Sequence, residues 1–93
     1  MATLRRIPDG AGDGGARVEA IAWTEDGKFK EVVSNRPTVG CSLLVGSVTA
    51  RTYSKSDYWL TTVVTEILEE KLDENDNLYI KFKTENSVYE FWS

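Results

Sequence analysis

Two short strings in the C-terminal third hold the side chains best suited to recognition chemistry. Trp59-Leu60-Thr61-Thr62-Val63-Val64 offers an indole and two hydroxyls, and Phe82-Lys83-Thr84-Glu85-Asn86-Ser87-Val88-Tyr89 offers two rings, two hydroxyls and an amide. An amide has donor and acceptor faces, and with hydroxyls beside it suits the edge of a base or ribose. An aromatic ring at a pocket mouth stacks a base. Trp59, Thr62, Phe82, Thr84, Asn86 and Ser87 are therefore candidate ligand-binding residues. Arg36 and Arg51 join them as cations able to grip a phosphate bidentately, with Lys81 and Lys83 as looser point charges. Each candidate also has a structural reading. Asn86 at a strand end tolerates left-handed φ and can cap its own turn. Trp59 and Phe82 suit a core, and the two arginines suit an ordinary charged surface.

The types that are missing narrow the field further. The chain of 93 residues has no histidine and one cysteine, Cys41. A Ser-His-Asp triad, a Cys-His dyad, a histidine-bearing zinc site and a four-cysteine zinc site are all excluded. Cys41 lies among Gly40, Ser42, Leu43 and Leu44 and reads as a small buried hydrophobe. Asp73, Asn75 and Asn77 have the first-third-fifth spacing of a calcium loop. Leu78 nevertheless occupies position six, where the sharp turn needs glycine, and Thr84 stands at position twelve in place of glutamate. Nothing singles out a carboxylate pair for glycoside chemistry. The expectation is a binding protein and not an enzyme, with no cofactor and no metal.

Net charge is −4, and the acid is concentrated: Glu66, Glu69, Glu70, Asp73, Glu74 and Asp76 face the single Lys71 between them. That stretch argues against duplex nucleic acid, whose phosphates demand a basic surface, and against an anionic membrane. A small anionic ligand stays compatible, because a few cations in one pocket outweigh an acidic average. The same acidic face, 66–76, would equally suit a protein-interaction module or inhibitor acting on a basic host protein.

These side chains must be positioned by a small, mainly β domain. Residues 1–15 carry four of the seven glycines and read as a flexible, dispensable tail ahead of a single domain, 16–93. Strands are expected at 17–24 and 29–34 around an Asp26-Gly27 hairpin turn, then at 41–45 and 48–53. Gly46 reads as a bulge or bend. Segment 78–84 alternates Leu78, Ile80 and Phe82 against Tyr79, Lys81 and Lys83, a half-buried strand, and 88–92 closes the chain. Tyr58 to Leu68 is strand by β propensity, through Ile67. A short helix around 61–72 competes, because Val64, Leu68 and Leu72 also fit a helical stripe. The acidic stretch 69–77 reads as an exposed turn. The fold expected is a small antiparallel sheet or barrel of five to seven short strands. No secretory or membrane-spanning segment is legible, so the expected location is cytoplasmic.

The paired patterns Trp-x-Thr-Thr-x-Val (59–64) and Phe-x-Thr-x-Asn-Ser-x-Tyr (82–89) resemble those of small bacteriophage and prophage proteins, over roughly residues 40 to 92. Some of those proteins look like the Thoeris anti-defence family, sponges that sequester cyclic nucleotide signals of bacterial immunity. The resemblance implies a phage-encoded protein in the host bacterial cytoplasm whose ligand is a small nucleotide-type molecule. A chain this small and this rich in aromatics is also expected to self-associate into a homo-oligomer.

Overall fold

A computed structural model of the protein describes residues 2–46 and 58–93. Eight strands follow in chain order: β1 (Ala2–Ile7), β2 (Gly12–Gly15), β3 (Arg17–Trp23), β4 (Phe29–Ser34), β5 (Ser42–Gly46), β6 (Tyr58–Leu72), β7 (Leu78–Thr84) and β8 (Val88–Trp92). They join in one open antiparallel sheet, ordered β2-β1-β8-β7-β6-β5-β3-β4. The mainly β expectation holds. The strand count exceeds five to seven, and 61–72 is strand with no helix. The strand expected at 48–53 lies outside the described residues.

Local sequence explains most of these elements. Alternation sends Ile80 and Phe82 of β7, and Tyr89 and Phe91 of β8, to one face, where all four are buried. Between β3 and β4, Thr24 N–H donates to Lys28 O (2.8 Å) and Gly27 takes φ +82°, a left-handed conformation that glycine adopts without steric cost. Strand β6 is the long one and serves two neighbours. Its first part pairs with β5 and its second with β7. The sheet folds over at β6, so that Leu43 and Val45 of β5 share a core with Leu4, Ile80, Phe82 and Phe91.

The N-terminal segment is the largest correction. Residues 2–15 are two strands of the sheet and not a tail. Strand β1 pairs along β8, and Ala2 and Leu4 lie in the core, Leu4 with no exposed surface. The glycines of β2 reflect close approach. A Cβ on Gly12 would stand 2.0 Å from the Leu4 carbonyl oxygen, so no larger residue fits there without displacing β1. The chain's far end supplies the partner that makes β1 worth ordering.

The acidic stretch is corrected as well. Strand β6 continues to Leu72, and only 73–77 turn. Glu66 and Glu69 stand in register with Lys83 and Lys81 of β7, and Glu70 forms an ion pair with Arg36. Cations opposite these acids offset their mutual repulsion, so the strand runs on to Leu72 before the turn formers take over. Gly46, read as a bend, is the last residue of β5 and is buried.

Deleting residues 1–15 should abolish the cooperative thermal transition, because it strips β1 from β8 and opens the core. Leu4→Ala alone should lower stability by about 2–5 kcal/mol in urea denaturation, the usual cost of truncating a buried leucine. A truncated chain that still melts cooperatively would contradict this placement.

Candidate functional site

The first motif string lies on β6 and the second runs from the end of β7 through the turn into β8, and they meet through the core. Trp59 Nε1–H donates to Tyr89 Oη at 3.2 Å. The Tyr89 ring in turn stacks on Phe82, with centroids 5.4 Å apart and planes 14° from parallel. Arg6 belongs to the same inward row of β1 as Ala2 and Leu4, and it stands in register with Tyr89. Its Cζ lies 5.2 Å from the centroid of Trp59, a cation–π distance.

Asp9, in the turn after β1, holds that arginine. Arg6 Nε donates to Asp9 Oδ1 at 3.1 Å and Nη2 donates to Oδ2 at 2.5 Å. Asp9 Oδ1 also accepts the Ala11 N–H at 3.2 Å. Donation from Arg6, then from the Ala11 N–H, pulls the Asp9 carboxyl down to about 2. Both partners are charged at neutral pH. The Arg6 side chain keeps one third of its surface exposed, so a guanidinium roofs an indole at the rim of the core.

The remaining predicted residues disperse. Phe82 is wholly enclosed and has no face to offer a ligand. Thr84 is buried too, and its hydroxyl ties the β7–β8 turn: it accepts the N–H of Asn86 (3.3 Å) and of Ser87 (3.2 Å) and donates to Ser87 O (3.2 Å). Ser87 contributes to that turn through its backbone. Asn86 is exposed, and its side-chain amide makes no hydrogen bond among the described residues; the capping role read into Asn86 belongs to Thr84, two residues earlier. Thr62 is exposed on β6, and Arg36 is engaged with Glu70. Arg51 lies outside the described residues. Trp59 alone of the predicted set is at the Arg6 stack. Arg6 and Asp9 escaped sequence reasoning because they fall in the glycine-rich segment, although Arg5-Arg6 was its one cationic signal.

No protein-family model, no curated protein and no solved structure matches the chain. Among the described residues no helix is long and apolar enough to cross a membrane.

The turn assignment has a direct check. Thr84→Val should cost about 1–3 kcal/mol, because it removes the acceptor for two turn N–H groups. Asn86→Ala should stay within about 0.5 kcal/mol, as for an unengaged surface residue. Chemical denaturation measures both, and the reverse order would return the cap to Asn86.

Proposed function

We propose that the protein is a non-enzymatic binding protein that sequesters a nucleotide-type signalling molecule at the Arg6–Trp59 stack. The observation that carries this is the convergence of both motif halves, through Trp59 and Tyr89, beneath an exposed guanidinium. An indole offers stacking area to a base, and an arginine fork matches phosphate geometry. Asp9 fills that fork with a carboxylate, so an incoming phosphate competes with it for the same donors. Sequestration requires affinity and no turnover, which suits a chain without histidine. With the resemblance to phage anti-defence sponges, the reading is a phage-encoded sponge acting in the host bacterial cytoplasm as a homo-oligomer.

The rival use of the acidic face 66–76 is narrowed by the register of the sheet. Glu69 pairs with Lys71 and Glu70 with Arg36, which among the described residues leaves Glu66, opposite Lys83, and the turn acids Asp73, Glu74 and Asp76 without an ion pair.

Calorimetric titration with a panel of cyclic nucleotides tests the proposal. Arg6→Ala should weaken binding about 10- to 150-fold, the equivalent of losing a charge-assisted hydrogen bond. Asp9→Asn should strengthen it by freeing the fork. Failure of the wild type to bind any member, or unchanged affinity in a folded Arg6→Ala protein, would overturn the assignment.

A further inference from the structure

A second feature lies at the β6–β7 turn. Lys71, Leu72, Asp73, Leu78, Tyr79 and Trp92 line an open cleft of about 630 Å³. Leu72 and Trp92 are 64% and 39% exposed, high for side chains of their size and polarity. The Tyr79 and Trp92 rings lie 5.6 Å apart and tilted by 49°, a corner of two aromatic surfaces.

We propose that this cleft receives a lysine or arginine side chain presented by a basic protein partner. Charge decides the occupant. The Lys71 ammonium is cancelled by Glu69 Oε1 at 2.8 Å. Asp73 is not cancelled by any cation: its Oδ1 accepts the N–H groups of Asn75 (2.8 Å) and Asn77 (2.9 Å), and its Oδ2 accepts Asn77 Nδ2 (3.0 Å). These donors, the Asn77 N–H first, hold the carboxyl below its ordinary value. Oδ2 retains a lone pair for one more donor. Glu74 and Asp76 stand on the same turn, exposed and, among the described residues, without ion pairs. With Lys71 paired to Glu69, the cleft lining keeps the single negative charge of Asp73, so an anion is repelled whereas a cation meets that carboxylate and the Trp92 indole, the strongest cation–π acceptor among side chains. The leucines and rings suit the methylene stem behind the charged head.

The cleft is also fixed in advance. Asp73 N–H donates to Asn77 O and Asp76 N–H to Asp73 O, both at 3.1 Å, while Asp76 takes φ +62°. Leu78 and Ser93 exchange backbone hydrogen bonds of 2.9 Å behind it. Tyr79 donates to Glu90 Oε2 at 2.8 Å, and burial, then this bond, pushes its phenol up to about 12, so it stays neutral and oriented. A preformed site loses little on binding. None of these residues takes part in the Arg6–Trp59 stack, so the two sites stand or fall separately.

Nuclear magnetic resonance titration of the full chain with a tetra-arginine peptide provides the test, with tetra-glutamine and tetra-glutamate peptides beside it. Saturable shifts at the Trp92 indole N–H and the backbone amides of 71–78 are expected for tetra-arginine alone, weakening as salt rises. Trp92→Ala should reduce affinity about fivefold, as for a lost cation–π contact. Lys71→Glu, at an exposed position that leaves the fold intact, should raise it about threefold by removing a like charge. Equal binding of tetra-glutamine, preference for tetra-glutamate, shifts that bypass Trp92, or unchanged affinity in Lys71→Glu would each overturn the proposal.

Discussion

A threonine hydroxyl sets the shape of this molecule. Ser42 pairs with Val63 and Leu44 pairs with Leu60, so two residues of β6 oppose the single Leu43 of β5. Leu43 has no partner in register there, and its N–H donates to Thr61 Oγ1 at 2.9 Å, inside the buried core. The Thr61 hydroxyl in turn donates a hydrogen bond to the Thr62 carbonyl at 2.7 Å. A buried N–H left without a partner costs about 1–3 kcal/mol, so the bulge depends on that hydroxyl. Bulges bend and twist a strand. Here the bend lets β6 leave β5 and continue along β7, which folds the sheet over one core and brings Trp59 beneath Arg6.

The same geometry explains what the sequence did and did not disclose. Strands β4, β7 and β8 were legible to the residue, because nothing interrupts the alternation of β7 and tight turns bound all three. Strand β6 looked part helical because Val64, Leu68 and Leu72 recur every four residues, yet Leu68 and Leu72 are exposed and only Val64 lies in the core. Two further bulges instead set Val64, Ile67 and Glu70 opposite Thr84, Phe82 and Ile80. The candidate site was legible in residue type but not in direction. Thr84 and Phe82 have ligand-binding chemistry and point inward, whereas Arg6 acquires its role only when β1 pairs with β8 from the other end of the chain. Much of the paired motif therefore describes how this sheet is held: Thr61 at the bulge, Thr84 at the turn, and Trp59 bonded to Tyr89.

Charge is distributed unevenly over the surface. Along β6 and β7 acids and bases face each other in register, which leaves little net field. The acidic turn at 73–76 escapes that balance, whereas at the Arg6 rim Asp9 already answers the guanidinium. The edge strand β4 exposes Phe29, Val32 and Val33, yet Lys30 and Glu31 sit among them and two register shifts interrupt its pairing with β3. Charges and bulges blunt an edge against strand addition. Self-association is therefore better sought through a sheet face than through β4.

The dependence of the fold on the Thr61 hydroxyl is most directly tested by amide hydrogen exchange at Leu43, read together with the Trp59 indole resonance in Thr61→Ser and Thr61→Val. Serine keeps the acceptor and should leave both signals as in the wild type. Valine keeps the shape but not the acceptor, so Leu43 should lose protection and the Trp59 indole should shift as its contact with Tyr89 loosens. A Thr61→Val protein with full protection at Leu43 and an unmoved Trp59 would contradict the account.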